Sequence, residues 1–250
     1  MTKRADFGVV QRRLAEAGRA LGSEVETVGE VDGYPIHRLI FGHGRPIVIS
    51  AGIHGEEPGS VEGGLLFLET AARDFMDTFA FEMYPCLNPY GYERHHRLNA
   101  RGQDPNRQFR NPDDPLNRVL KASLGEKSFE LGLDLHEDED FYGFYIYETV
   151  EDGRPFGPTL RDAMQEIGPV AAQAKEPPLT DGLAYRRRLR GRSVREMWAK
   201  RKLWPVAVLL FTHSGHQMTI ETPGRQPLEM RSRMHVAGVR RALELQASRG

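Results

Sequence analysis

The chain has 250 residues, of which 39% are hydrophobic, so it can bury one sizeable core and we expect a single domain over residues 1–250. Its 34 basic and 35 acidic side chains leave a formal charge of −1, which excludes a general attraction to nucleic acid or to an anionic membrane. The single cysteine, Cys86, excludes an intramolecular disulfide. No segment has the roughly 20 apolar residues of a membrane span or the core of a secretory signal, so we expect a cytoplasmic protein without a membrane partner.

The first predicted elements are a helix and a hairpin. Apolar positions recur at helical spacing over residues 5–21, and two strand-like segments then meet at Asp32-Gly33, a dipeptide typical of a hairpin turn. Residues 46–53 form a continuous apolar run bounded by glycines, which indicates a strand buried on both faces. The helix that follows is predicted over residues 57–72.

The rest of the chain continues to alternate between strands and helices. Further strands are predicted at residues 81–87, 131–135, 143–147 and 206–211, and a closing helix at residues 228–245. This alternation indicates an α/β fold. Ligands of open α/β sheets bind at the carboxyl ends of the strands, and both His54 and His136 lie at such ends. We therefore expect the two histidines at one edge of the sheet.

Two short segments contain the side chains that a catalytic zinc site needs, namely Gly52-Ile53-His54-Gly55-Glu56-Glu57 and Leu133-Asp134-Leu135-His136. Catalytic zinc typically has three protein ligands and leaves the fourth position to water, and two histidines with one glutamate are a common set. We predict that His54, Glu57 and His136 bind the zinc ion.

The residues around these side chains agree with this interpretation. Gly52 and Gly55 allow the backbone to turn sharply and bring His54 and Glu57 to one point. Asp134 suits a residue that orients a metal-binding histidine. The four acids at residues 137–140 are interpreted as a solvated turn, although their charge would favour substrates with an amino group or a basic side chain.

Two arginines and a glutamate complete the candidate site. A guanidinium binds a carboxylate through two parallel hydrogen bonds, so Arg97 and Arg107 are candidates for holding a substrate carboxylate or polarising its carbonyl. Glu221 lies among apolar and β-branched neighbours, where an unpaired carboxylate is costly unless its pKa rises. A raised pKa suits a general base that takes a proton from water and passes it to a leaving amine. The alternative is an exposed glutamate on an edge strand.

Together these residues resemble the ordered motifs of the zinc metallocarboxypeptidase superfamily, which begin here at His54, Asn88, Arg97, Gly102, His136 and Glu221. The resemblance implies a three-layer α/β/α sandwich with a mixed sheet of about eight strands. It implies that His54, Glu57 and His136 bind one zinc ion and that Glu221 is the general base. It further implies that Arg97 stabilises the oxyanion, and that Asn106 and Arg107 bind the terminal carboxylate of the substrate.

The sequence has features of more than one branch of this superfamily. The chain is shorter than the digestive carboxypeptidases, and its substrate-capping tyrosine is not identified among Tyr142, Tyr145, Tyr147 and Tyr185. Its Asp-Leu-His and Ile-Glu-Thr-Pro segments are similar to murein peptide amidases and to succinylglutamate desuccinylase and aspartoacylase. The Asn-Pro-x-Gly element favours the peptidase branch.

We therefore expect a zinc-dependent hydrolase that cleaves an amide bond next to a carboxylate-bearing residue, either as a carboxypeptidase or as a peptide amidase. The alternative substrate is an N-acyl amino acid, and an inactive binding protein with the same fold ranks lower. The basic residues 186–192 and 200–202 raise nucleic-acid binding as a further possibility, but no recognition motif accompanies them, so no nucleic-acid partner is expected. These residues are interpreted as a solvated surface or an active-site flap.

Overall fold

The computed structural model describes residues 5–151, 154–171, 183–186 and 204–249. Within these residues eight strands form one mixed sheet. The strands are β1 (Val25–Val31), β2 (Tyr34–Gly42), β3 (Arg45–Ala51), β4 (Phe79–Tyr84), β5 (Leu131–Asp138), β6 (Tyr145–Val150), β7 (Leu183–Arg186) and β8 (His216–Pro223). Their order across the sheet is β1-β2-β4-β3-β5-β8-β6-β7.

Helices cover both faces of this sheet. They are α1 (Phe7–Ala20), α2 (Pro58–Thr70), α3 (Pro89–Arg94), α4 (Pro115–Leu124), α5 (Gly157–Gln165), α6 (Val206–Ser214) and α7 (Leu228–Ala247), with short 3-10 turns at Ala72–Phe75 and Pro105–Arg107. One apolar core joins the sheet to α1, α2, α5 and α7, and a second core joins the opposite face to α4 and α6. The predicted three-layer α/β/α sandwich is confirmed.

Strand β3 shows how the sequence builds the two cores. Ile47 and Ile49 belong to the first core and Val48 belongs to the second, because successive side chains of a strand point to opposite faces. All three are fully buried. The continuous apolar run at residues 46–53 is therefore the two-sided strand that the sequence predicts.

Several other predictions agree with the structure. Helices α1, α2 and α7 occupy the positions expected for them, and β1 and β2 form the expected hairpin. Asp32 and Gly33 both have positive φ angles, of 54° and 81°, as the two central residues of such a tight turn require. Strands β4 and β6 are displaced from their predicted bounds by about two residues, which is the usual error at element ends.

The prediction of a strand at residues 206–211 is wrong, because these residues form the first part of α6. A short apolar run does not distinguish a buried strand from a buried helix. The helix follows Pro205 and ends at Gly215, which has the left-handed conformation common after helix ends. Val206 and Leu210 lie four residues apart and pack into the second core.

The order of the strands brings the candidate site residues together. β5 lies between β3 and β8, and the three strands are parallel. His136 and Glu221 are direct partners across β5 and β8, and Tyr145 of β6 pairs with Glu221 from the other side. The carboxyl ends of the parallel strands thus carry His54, His136 and Glu221 at one edge, as expected.

Two further findings concern the basic segment and membranes. Most of the basic segment, at residues 187–192 and 200–202, lies outside the described residues. Among the helices that the structure describes, none has both the length and the apolar character required to cross a lipid bilayer.

Helices α2 and α7 approach each other closely at Gly63. A Cβ atom added to Gly63 would lie 2.4 Å from the Cβ of His235, a distance that packed atoms do not adopt. We expect Gly63→Ala to lower the free energy of unfolding by about 1–3 kcal/mol through overpacking, although alanine favours helices over glycine by about 1 kcal/mol. Urea unfolding measures the change.

The matched control is Gly238→Ala in α7. There the added Cβ would lie 3.2 Å from the end of the Ile220 side chain, which can rotate away. We expect a change of no more than about 1 kcal/mol, in either direction. A Gly63→Ala protein as stable as the wild type would show that the two helices can separate without cost.

Candidate metal centre and active site

The centre of the site is formed by His54, Glu57 and His136, which are all buried. Nδ1 of His54 lies 2.6 Å from one oxygen of the Glu57 carboxylate, and Nδ1 of His136 lies 2.9 Å from the other. One ligand atom from each residue lies within 4.8 Å of the other two. The three side chains therefore form a group that is able to bind a metal ion.

Glycines produce the sharp turn between β3 and α2. Gly52, directly after β3, has a φ angle of 65°, which is costly for residues with a Cβ atom. Gly55 packs against the backbone of Gly91, so that an added Cβ would lie 2.0 Å from the Gly91 carbonyl carbon. This turn brings His54 to Glu57, the residue that precedes helix α2.

A carboxylate contacts Nε2 of each imidazole, on the side of the ring away from Glu57. Nε2 of His54 lies 3.2 Å from Asp104, and Nε2 of His136 lies 3.0 Å from Asp134, which also accepts a hydrogen bond from Ser50. A carboxylate at Nε2 favours the tautomer in which Nε2 carries the proton. Both Nδ1 atoms then lie within hydrogen-bond distance of the Glu57 oxygens, where a metal ion would replace the shared protons. Two imidazole nitrogens and one carboxylate are a common donor set for catalytic zinc, so the cluster fits this metal.

The charges around His136 also favour a bound cation. Burial lowers the pKa of His136, but Asp134, Glu57 and Glu221 outweigh this effect and raise the pKa well above its ordinary value. The carboxylates around His136 thus create a negative electrostatic environment at this position. A low-dielectric site of this kind favours a bound cation.

Glu221 lies on β8 beside His136 and is 9% exposed. Strand β8 runs between β5 and β6, so Glu221 is not an exposed residue on an edge strand. Its carboxylate forms no hydrogen bond with any residue that the structure describes. Burial raises the pKa of Glu221 to about 8, although His136 acts in the opposite direction. Such a carboxylate is suited to accept and release a proton near neutral pH.

Arg97 borders the cluster and is partly open to solvent, with 40% of its side chain exposed. Its guanidinium contacts Asp104 at 3.1 Å and Glu56 at 3.2 Å, and it lies 3.6 Å from the nearer oxygen of Glu57. These contacts hold the positive charge next to the three convergent donors. The guanidinium can therefore meet a substrate that enters the site.

Asn106 and Arg107 lie in the 3-10 turn next to the cluster. The Asn106 side-chain nitrogen is 3.4 Å from Nε2 of His136, and its oxygen accepts a hydrogen bond from the Val206 backbone. Arg107 donates to the carbonyl of Asn106 at 2.9 Å but forms no ion pair with any described carboxylate. The Asn106 oxygen is thus engaged in the fold, whereas Arg107 acts on Asp104 only at longer range, where its charge helps to lower the pKa of that carboxyl group.

The structure also reveals contacts that sequence reasoning did not assign. Asp104, which contacts His54, is one of the residues involved. It belongs to the Gly-x-Asp-x-Asn-Arg motif, and this motif could have identified Asp104 as a site residue. Among the candidate capping tyrosines, the Tyr145 hydroxyl donates to Asp138 at 2.6 Å, whereas Tyr142 is 64% exposed. The side chain of Tyr185 lies outside the described residues.

Comparison with known proteins tests these interpretations. A sequence model of the zinc carboxypeptidase family matches residues 23–123, a range that includes His54, Glu57, Arg97 and Arg107. The chain is 25% identical to a candidate metallopeptidase from Shewanella baltica; the match covers 97% of this chain and 93% of that one, with a TM-score of 0.80. Residues 23–123 are thus similar to zinc carboxypeptidases, and the whole described fold is similar to that of a metallopeptidase.

Two solved structures with lower sequence identity share the fold. A metallo-carboxypeptidase from Burkholderia cenocepacia is 17% identical, with 96% of this chain and 70% of that chain covered and a TM-score of 0.68. One from Pseudomonas aeruginosa, solved with (2-guanidinoethylmercapto)succinic acid, is 20% identical, with 94% and 68% covered and a TM-score of 0.67. No curated protein matches the sequence. The partial family match and the convergence of His54, Glu57 and His136 support a metallocarboxypeptidase-like hydrolase with zinc as its cofactor.

Zinc binding at this cluster should stabilise the folded protein. At a free zinc concentration of about 100 times Kd, we expect the folded state to gain about 2.7 kcal/mol, seen as a higher Tm than that of the metal-free protein. His136→Ala removes one donor and should abolish the shift. The control is His216→Ala, because His216 is buried but pairs with Glu148 instead of with the cluster. Equal shifts in both variants would place the zinc elsewhere.

Proposed function

We propose that the protein hydrolyses the amide bond next to a carboxylate-bearing residue of a small peptide. In this proposal His54, Glu57 and His136 hold one zinc ion, and Glu221 is the general base. The observation that carries the proposal is the convergence of three buried donors beside a buried carboxylate that has no hydrogen-bond partner among the described residues. This combination suits hydrolysis better than passive binding.

The metal and the glutamate have complementary tasks. Bound zinc supplies Lewis acidity, which polarises a carbonyl group and makes water more acidic. Glu221 takes a proton from the attacking water on a carboxylate oxygen. It then gives that proton to the amine nitrogen as the carbon–nitrogen bond breaks. Its raised pKa allows both transfers because the carboxyl group is neither a strong acid nor permanently neutral.

The arginines supply positive charge at two points of the substrate. Arg97, held by Glu56 and Asp104, donates to the carbonyl oxygen as negative charge develops there. Arg107 binds the free carboxylate, and the Asn106 amide lies next to it. The lack of an ion pair for Arg107 within the described residues supports this role, because a substrate carboxylate would meet an available guanidinium.

The choice of a peptide substrate rests on the relatives. Two of the structural neighbours are metallo-carboxypeptidases, and one of them binds a derivative of succinic acid, a ligand with carboxylates. An N-acyl amino acid also presents an amide next to a carboxylate. Assays with small peptides, murein peptides and N-acyl amino acids distinguish these classes, and preference for an N-acyl amino acid would replace the peptide proposal.

The general-base assignment is tested by Glu221→Gln. This variant keeps the shape of the side chain but cannot take a proton, so kcat should fall about 10²–10⁴-fold on the best substrate found. Zinc content, measured by elemental analysis, should equal that of the wild type because Glu221 is not a ligand. A Gln variant that retains zinc and nearly full activity would refute the assignment.

The carboxylate-binding role is tested by Arg107→Met. Loss of a hydrogen bond between charged groups should raise KM for a substrate with a free carboxylate about tenfold or more, with less change in kcat. The matched control is Arg110→Met, since Arg110 lies over the Trp204 ring on the surface nearby. If both variants raise KM equally, the effect is one of general charge and Arg107 has no specific role.

A further inference from the structure

Glu137 is a buried carboxylate on the face of the sheet opposite to His136. It follows His136 on β5, so its side chain points to the opposite face of the sheet. Its carboxylate accepts hydrogen bonds from the Gly59 backbone at 2.6 Å, from Arg231 at 2.6 Å and from the Thr222 hydroxyl at 3.3 Å. The mechanism proposed above does not use this residue.

The start of helix α2 explains one of these contacts. The helix begins at Pro58, and Glu57 is its N-cap residue, yet the Glu57 side chain forms no capping hydrogen bond. Its carboxylate meets His54 and His136 instead. The first N–H groups of a helix need acceptors, and negative charge is favourable at that end. Glu137 supplies a hydrogen-bond acceptor to the Gly59 N–H and a negative charge to this end of the helix. It thus replaces the usual N-cap side chain of α2.

The same residue also contacts the Glu57 carboxylate directly. The backbone N–H of Glu137 donates to Glu57 at 3.0 Å, on the oxygen that faces His136. Glu137 therefore holds the helix start through its side chain and the carboxylate through its backbone. Gly59 allows the close approach, because an added Cβ atom there would lie 2.1 Å from an oxygen of Glu137.

Arg231 makes this arrangement possible. It reaches the Glu137 carboxylate from α7, and only 12% of its side chain is exposed. A buried carboxylate without a partner would be strongly unfavourable, and the guanidinium neutralises it. The Thr222 hydroxyl, which contacts both Glu137 and His235, adds a further hydrogen bond from β8. Four elements, α2, α7, β5 and β8, thus meet at Glu137.

We propose that Glu137, neutralised by Arg231, is a positioning residue for the zinc ligand Glu57. By capping α2 in place of Glu57, it leaves the Glu57 carboxylate free for the metal and fixes its direction. The inference rests on the assignment of Glu57 as a ligand. Residues that orient metal ligands typically contribute about 10–100-fold to metal affinity, so loss of the Glu137–Arg231 pair should weaken zinc binding by a factor in that range.

The decisive variant is Glu137→Met with Arg231→Met. Replacing a buried ion pair by apolar side chains of similar size often leaves stability unchanged or increased. We expect the metal-free protein to fold with a somewhat lower Tm, because the Gly59 N–H loses its acceptor, and the Kd for zinc, measured by competition with a chelator, to rise at least about tenfold. A folded double variant with the zinc affinity of the wild type would overturn the proposal.

The chain offers a matched control. Glu148 is also a buried carboxylate on a strand, pairs with His216, and accepts hydrogen bonds from Phe156 and Gly157 at the start of α5. Glu148→Met with His216→Met therefore removes an equivalent pair away from the metal cluster, and its zinc affinity should stay within about twofold of the wild type, because no metal ligand depends on it. Equal losses in both double variants would overturn the proposal, since the effect would then be global.

Two further measurements distinguish a failure of this inference from misfolding and from the absence of a zinc site. If the first double variant does not fold, Arg231→Gln keeps a hydrogen-bond donor without the charge, and unchanged zinc affinity in that variant would overturn the proposal. Wild-type protein and His136→Ala are measured in parallel. A wild type that binds no zinc would refute the metal site and with it this inference, whereas normal wild-type binding and unaffected variants would refute the inference alone.

Discussion

The burial of negative charge is the constraint on which the rest of the site depends. Glu57, Asp134, Glu137 and Glu221 are each less than 10% exposed, and they lie on two neighbouring strands and at the start of one helix. Removing carboxylates from water is costly unless each one has a partner. Asp134 contacts a histidine and a serine, Glu137 pairs with Arg231, and Glu57 lies within hydrogen-bond distance of two imidazoles. A divalent cation at the centre satisfies what these partners leave unmet.

The fold concentrates these charges because its central strands are parallel. Parallel neighbours end at the same edge of the sheet, so β3, β5 and β8 present their carboxyl ends together. Glycine then allows close approach where a side chain would prevent it, at Gly52 after β3 and at Gly59 in the first turn of α2. The opposite face of the sheet is equally involved, since the ion pair between Glu137 and Arg231 lies behind the metal cluster. The site is therefore supported by residues on both faces of the sheet.

Much of this arrangement could be predicted from the sequence. The two-sided apolar run before His54, the hairpin at Asp32-Gly33 and the helices on either side of them follow local patterns. The spacing of His54 and Glu57 within one turn indicates a metal site because both residues lie on a single short segment. The apolar run at residues 206–211 was misread as a strand, since hydrophobicity alone does not separate a buried helix from a buried strand.

The sequence by itself thus predicted the class of fold, the candidate zinc donors and the acid suited to move a proton, because these follow from residue type, local pattern and the order of the motifs along the chain. Only the tertiary structure decided which carboxylate supports which histidine. Asp104 meets His54 across 50 positions of the chain, and Glu137 meets Gly59 across 78. Contacts of this kind arise from strand order and helix packing, which pair residues without any local signal in the sequence. The capping of α2 by a residue of β5 is such a contact, and it is visible only in the folded chain.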